Sequence, residues 1–322
     1  MKLYTVLRNV TDPYENLALE SYLMQIAEEN SCILYLWQNE PTVVIGRNQN
    51  VWKECRTSLL QEDGIHLARR LSGGGAVYHD LGNLNFTFVA KEPCYDQQKQ
   101  FAVVQNACSR LDIQVNKSGR NDLVVNGFKF SGNAFLHQGG VGCHHGTLLI
   151  DSDFSKLSDY LTPSKAKLQA KGVSSVRSRV TNLKSLCPDL TVEKMRQAFI
   201  DAFEEVYQAN ATPLTLSADA NSILKEKSAQ LSDPQWLFDT KQTMTCSMEE
   251  RFDWGCITIE LMVENGIIGA TQVFTDSLDW TLSEKLEKAL TGCAFQKSHM
   301  LKAIESIVEE DILKDISSMM NI

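Results

Sequence analysis

The segment Arg69-Arg70-Leu71-Ser72-Gly73-Gly74-Gly75-Ala76-Val77-Tyr78-His79-Asp80 concentrates residue types that can hold an anion. Three successive glycines permit positive φ and let backbone N–H groups approach a charged oxygen without side-chain obstruction. Arg70 adds a planar guanidinium fork suited to phosphate or carboxylate. Read by itself, the same run is equally a flexible turn. No Gly-Lys dipeptide occurs in the chain, which excludes a Walker-type phosphate loop, and the absence of GxGxxG removes the usual dinucleotide fingerprint.

Three further segments carry chemistry. Gly119-Arg120-Asn121-Asp122 leads toward Lys129. That lysine is either a solvated surface residue or a charge aimed into a cleft, where an oxyanion at ~4 Å would gain about 4 kcal/mol at an effective dielectric near 20. Asp122 is a candidate magnesium ligand. His144-His145-Gly146-Thr147 places adjacent histidines on opposite faces of a strand, so the two cannot share one metal, and no HExxH motif or Cys/His ligand set accompanies them. A packed or hydrogen-bonded His145 is expected, with a substrate role next. Finally, Tyr160 to Pro188 holds Lys165, Lys167, Lys171, Arg177, Arg179 and Lys184 and no acid. It reads as a solvated face or as a positive surface for a phosphate tail or an acidic protein partner.

The elements that position these residues are readable in outline. Asp12 is placed to cap a helix, with Pro13 at its first position, Glu15 at the capping-box position, and Leu19, Leu23, Ile26 and Ala27 on one face. Strands are expected at 32–37, 42–45, 65–69, 85–89 and 146–150, with helices over 52–62 and 192–207. Asn126-Gly127 between Leu-Val-Val and Phe-Lys-Phe marks a hairpin. Alternation would then put Phe128 and Phe130 on the core face and Lys129 and Ser131 on the other. The pattern weakens over 214–245, where a linker is expected. Beyond it come a hairpin around Glu264-Asn265-Gly266 and helices over 282–290 and 298–315. Irregular interleaving of helices and strands indicates mixed α/β architecture, with a catalytic domain over 1–246 and a small α+β accessory domain over 247–322.

Composition narrows the class. The chain has 322 residues and a net charge of −9. Residues 247–322 hold 14 acids against 6 bases, leaving 26 against 25 in the rest. An overall polyanion-binding role is therefore disfavoured, and nucleic acid is not an expected partner. Nine cysteines without CxxC spacing argue against a disulfide framework or zinc ribbon and fit a reducing cytoplasm. No apolar run approaches the ~20 residues of a membrane span, and the N-terminus lacks a signal or transit pattern. No membrane association is expected.

Taken together, the chain resembles the lipoate–protein ligase A family in its two-domain form. The likeness is carried by Asp12-Pro13 with Asn16-Leu17-Ala18, by Val43 to Arg47 with Gln49-Asn50, and by Arg69 to Asp80 with Gly82-Asn83. Ser118 to Asp122, Lys129 with Ser131-Gly132, His144 to Leu149, and Ser174 to Asn182 continue it in order. It resumes at Arg251-Phe252 and Val273 to Ser277. The short insert of some relatives before the lysine is replaced by the Asn126-Gly127 turn.

The resemblance implies a biotin/lipoate ligase-like catalytic fold and a two-step reaction. Lipoate and Mg-ATP give lipoyl-AMP and pyrophosphate, and the lipoyl group then passes to a lysine of an apo lipoyl domain. The implied partners are lipoyl domains of 2-oxoacid dehydrogenase complexes and the glycine-cleavage H protein. Arg70 and the backbone of Gly75, Ala76, Val77 and Tyr78 would hold ATP, and Lys129 would touch both the lipoate carboxylate and the α-phosphate. Ser72, His79, Asn83, Asp122 and His145 form a supporting set, and magnesium ligands are not assigned. An apolar slot floored by 42–45 and 85–89 would take the acyl tail. Two readings share the fold: a lipoyltransferase using preformed lipoyl-AMP, and an octanoyl transferase, which would want an activated cysteine such as Cys143 or Cys187.

Overall fold

The computed structural model describes residues 1–162, 180–238, 246–264 and 266–320. Lys165, Lys167, Lys171, Arg177 and Arg179 of the basic stretch lie outside the described residues, as does Asn265. The chain runs β1 (Lys2–Leu7), α1 (Pro13–Ile26), β2 (Ser31–Trp37), β3 (Thr42–Ile45), α2 (Val51–Glu54), α3 (Thr57–Glu62), β4 (His66–Arg69), β5 (Val77–His79) and β6 (Asn83–Lys91). There follow α4 (Gln97–Ser109), β7 (Asn116–Ser118), β8 (Asp122–Val125), β9 (Phe128–Gln138), β10 (Val141–Leu149), α5 (Phe154–Tyr160), α6 (Val192–Tyr207) and β11 (Ala211–Pro213). The remainder is α7 (Ala220–Ser232), α8 (Pro234–Phe238), β12 (Cys246–Phe252), β13 (Gly255–Glu264), β14 (Ile267–Thr275), α9 (Leu282–Leu290), α10 (Lys297–Ile304) and α11 (Glu310–Met319).

An eight-stranded mixed sheet in the order β11-β1-β2-β6-β10-β9-β8-β7 forms the main layer. Strand β2 shows why its sequence is apolar throughout, because both of its faces are covered. Cys32, Leu34 and Leu36 join Phe86, Phe88 and the inward residues of α4 and α6 on one side. Ile33, Tyr35 and Trp37 join α1 and α7 on the other. Helix α1 begins where expected, with the Asp12 carboxylate accepting from Glu15 N–H at 2.8 Å. It is buried beyond the expected stripe, since α7 covers its outer side.

Several expectations need correction. Residues 214–238 are not a bare linker: α7 and α8 pack on the catalytic body through Ala220, Leu224 and Leu231. The single helix expected over 52–62 is broken into α2 and α3. There Cys55 pairs with Leu161, and Arg56 N–H donates to the Tyr160 carbonyl at 3.0 Å. The strands expected at 85–89 and 146–150 extend over β6 and β10. In the small C-terminal α+β domain an unexpected strand, β12, joins the hairpin of β13 and β14. The helix expected over 298–315 is two, α10 and α11, whose turn brings Met300, Ile304 and Ile316 into one core.

A small three-stranded sheet, β4-β3-β5, stands over the site side of the main sheet and carries the glycine segment between β4 and β5. Among the described residues no helix is long and apolar enough to cross a membrane.

Candidate active site

Strand register assembles the inner part of the site. Trp37 pairs with Asn85, and Asn85 with Thr147; one step along, Tyr35 pairs with Thr87, and Thr87 with His145. Because side chains alternate across a sheet, these six face the same way. His144 therefore points oppositely, into the core beside Phe86, Phe88 and Phe101. Its ring nitrogens meet Gln100 at 3.0 Å and Asn133 at 2.8 Å, and burial drives its pKa well down.

A buried relay crosses the site face. Trp37 Nε1–H donates to Thr87 Oγ1 at 3.1 Å, and Thr87 donates to Glu20 at 2.7 Å. Glu20 meets His145 Nδ1 at 2.8 Å, and His145 Nε2 lies 2.6 Å from Ser72 Oγ. Burial works to raise the Glu20 pKa, but His145, Thr87 and Arg70 outweigh it and hold the carboxyl below its ordinary value. The Ser-His-Glu order has the geometry of a nucleophile relay. Ser72, however, is fully buried beneath the glycine loop and also receives Arg70 Nε–H at 3.1 Å, so its work is to fix the loop.

The glycine segment is held by two successive arginines on opposite faces of the chain. Arg69 is buried and fastens to the carbonyls of Arg47, Gln49, Trp236 and Leu237 at 2.7–2.9 Å. Arg70 turns the other way, and Nη2 donates to the carbonyls of Gly73 and Gly75 at 2.7 and 2.8 Å. Its fork is thus engaged with loop carbonyls. Burial lowers its pKa to about 10, which leaves it cationic at neutral pH. Gly74 has φ +91, a conformation open to glycine, and its N–H donates to the Ser277 carbonyl of the C-terminal domain at 2.9 Å.

Lys129 follows the expected turn, with Asn126 and Gly127 at φ 52 and 82. A register shift between Leu123 and Val124 makes Phe130 the extra residue of a bulge. The expected sharing of a face by the two phenylalanines therefore fails: Phe130 is 0% exposed and Phe128 48%. Lys129 still turns toward the cleft. Its ammonium lies 2.7 Å from Asp122 Oδ1 and occupies the space that a side chain at Gly132 would fill.

Two adjoining cavities share Gly74 to Val77, Asn121, Lys129 and Thr147. The inner one runs to Trp37, His79 and Leu17; the outer one reaches Arg120, Arg251 and Asp276. Of the sequence-derived set, Gly75, Ala76, Val77 and Lys129 line both. Arg70, His79 and His145 line the inner cavity, and Tyr78 and Asp122 the outer. Ser72 and Asn83 line neither; Asn83 donates to Asn85 Oδ1 at 2.9 Å from behind. The residues that sequence reasoning missed are Glu20, Trp37 and Asn133. Among these only Glu20 left a local signal, an acid between Leu19 and Leu23 on a buried helix.

Residues 12–204 match the model of the lipoyl protein ligase A/B catalytic domain, so the fold is that of a lipoyl-ligase-type enzyme. Residues 241–319 match the bacterial lipoate protein ligase C-terminus. The chain belongs to the lipoate–protein ligase A family, in the form that carries this second domain. The structure of P. falciparum LipL1 in complex with lipoate is similar over 98% of both chains, with 28% identity and a TM-score of 0.87. A Thermoplasma acidophilum bi-partite lipoate protein ligase, described with its E2 lipoyl domain, matches 76% of this chain and 98% of its own at 25% identity and TM-score 0.66. A lipoate-protein ligase A bound with ATP matches 74% of this chain and 98% of its own at 25% identity and TM-score 0.65.

Proposed function

We propose that the chain activates lipoate with Mg-ATP to lipoyl-AMP and transfers the lipoyl group to a lysine of apo lipoyl domains. The observation that carries this reading is the position of Lys129 at the junction of the two cavities. An ammonium there meets an acyl carboxylate seated inward and an α-phosphate seated outward, and it lessens the repulsion between two anions that must react. The inner cavity suits an acyl tail, with Val44 and Asn85 contributed by the strands expected to floor it. The outer cavity is lined by Arg120 and Arg251 as well as Lys129, cations suited to a triphosphate. Magnesium enters with the nucleotide as part of the substrate.

In the first step a carboxylate oxygen attacks the α-phosphorus, and the bond to pyrophosphate breaks. Positioning and charge neutralisation supply the rate, and no covalent nucleophile is needed. Gly75 to Tyr78 would hold the nucleotide through their backbone, and Arg70 keeps that loop in shape. In the second step the acceptor amine attacks the acyl carbonyl and AMP leaves. Lipoyl domains of 2-oxoacid dehydrogenase complexes and the H protein are the proposed acceptors, in the cytoplasm. The proposed division is a catalytic domain over 1–246 and an accessory domain over 247–322.

An octanoyl transferase is disfavoured because neither Cys143 nor Cys187 lines either cavity, and the buried Cys143 thiol is pushed well up by burial and by Glu20. The test is to incubate the protein with lipoate, Mg-ATP and an apo lipoyl domain, following pyrophosphate and acceptor mass. Pyrophosphate with lipoylation supports the ligase. Lipoylation only from supplied lipoyl-AMP, or transfer only from octanoyl carrier protein, overturns it in favour of the corresponding transferase.

A further inference from the structure

His144 is fully buried on the core face of β10 and lines neither cavity, yet the atoms around it fix its tautomer and what it holds. Asn133 Nδ2 donates to the Asn121 carbonyl at 3.0 Å and to Ser131 Oγ at 3.3 Å, so Asn133 turns its Oδ1 to the histidine. An amide oxygen can only accept, and His144 Nε2, 2.8 Å away, is therefore the donor. Burial keeps the ring neutral, which leaves Nδ1 as an acceptor. The Gln100 amide lies 3.0 Å from Nδ1. Its Nε2, otherwise buried without a hydrogen-bond partner among the described residues, is the atom that must face the ring. Gly146 makes room for the next link: a Cβ there would stand 2.7 Å from Asn133 Oδ1.

Beyond Asn133 the line of hydrogen bonds emerges at the reacting end of the cleft. Asn133 N–H also donates to the Asn121 carbonyl, and Asn121 Nδ2 returns a bond to the Asn133 carbonyl at 2.5 Å. Asn121 lines both cavities. Its neighbour Asp122 pairs with Gly132 across the strands and holds the Lys129 ammonium at 2.7 Å. We infer that His144 is a positioning residue: through Asn133 and Asn121 it sets the place of Asp122, and so of the ammonium at the junction of the cavities. The inference rests on the lipoate-ligase reading above. Hydrogen bonds are directional, and a buried network holds its geometry only while every member is paired. A donor lost at His144 frees the Asn133 amide to turn and loosens the segment it clasps. A misplaced charge at the reacting centre lowers the rate of the chemical step more than it lowers substrate affinity.

The experiment is a double-mutant cycle on the full chain, reading pyrophosphate release with lipoate and Mg-ATP. His144→Phe keeps a buried ring and removes the N–H. It should lower kcat by about thirtyfold, short of the roughly hundredfold that a 1 Å misplacement can cost, with KM for lipoate within about twofold. His144→Gln, whose amide can donate to Asn133 and accept from Gln100, should recover most of the loss. In the Lys129→Ala background His144→Phe should cost less than about threefold more, because the group it positions is gone. Equal losses in the two backgrounds overturn the inference and leave the ligase reading standing, as does an unchanged kcat in His144→Phe. Absence of pyrophosphate from the wild type overturns both. Should His144→Phe fail to fold, Gln100→Met, which removes the donor that fixes the tautomer, carries the same cycle. A loss in kcat that disappears in the Lys129→Ala background supports the inference, and an additive or absent loss overturns it.

Discussion

The inner and outer halves of the cleft are built by different means. The inner half rests on strand register: Trp37, Asn85, Thr147, Thr87 and His145 are cross-strand neighbours of one buried sheet, tied through Glu20. The outer half rests on turns and on a second domain. Its cations Lys129, Arg120 and Arg251 come from a hairpin, a loop and β12, and Arg120 donates to the Trp254 carbonyl across the domain boundary. The first arrangement fixes shape and sorts ligands by fit. The second gathers cations around the outer cavity, where, on the proposed reading, a triphosphate would enter.

The contrast breaks most sharply at Lys129. Lys129→Ala should lower pyrophosphate release on lipoate and ATP by about a thousandfold, the scale of removing one preorganised charge-stabilising group. Its denaturation midpoint should stay near that of the wild type; unchanged activity would remove the lysine from the mechanism. Glu20→Ala acts on the other half. Loss of one member of a buried hydrogen-bonded pair should cost about 3 kcal/mol in a denaturant titration, and a loss below about 1 kcal/mol would show that the relay is not stabilising.

Acidification should also weigh on the inner half. His79 falls from an ordinary 6.5 to about 3 on folding, so between those values the unfolded chain holds the extra proton. Stability from this group is complete above pH 6.5 and is lost as pH falls toward 3, by up to about 1.4 kcal/mol per pH unit. His79→Phe should flatten that part of the wild-type pH–stability curve; superimposable slopes would contradict it. The smallest effect belongs to the domain contact. Arg47 lies 5.5 Å from the ring centre of Trp236 and 5.2 Å from that of Trp280, joining the two halves of the chain. Arg47→Ala should weaken that contact by about 1 kcal/mol. A lower denaturation midpoint, with unchanged lipoate binding, would reveal it.

What the sequence made readable follows the same division. The outer features are local: an Asn-Gly turn, three glycines, an arginine before them and a lysine after the turn each announce themselves within a few residues. The inner features depend on which strand lies beside which. Nothing near Asn85 in the chain says that Trp37 and Thr147 flank it, and nothing near Phe130 announces the bulge that turns Phe128 outward. The break between α2 and α3 is likewise imposed from a distance, by Tyr160 and Leu161. Over 214–238 a weak apolar pattern still yields packed helices, because Arg69 and Trp236 supply polar fastening that periodicity cannot display.

The adjacency of Arg69 and Arg70 has a consequence for how this protein tolerates insertions and deletions. Their side chains leave the strand on opposite sides, one gripping α8 and the other the glycine loop. Adding or removing a single residue in β4 would swap the two sides. Each guanidinium would be carried into the wrong layer, and two distant fastenings would open together. Length changes should therefore be accepted in the turn before β4 and refused within it.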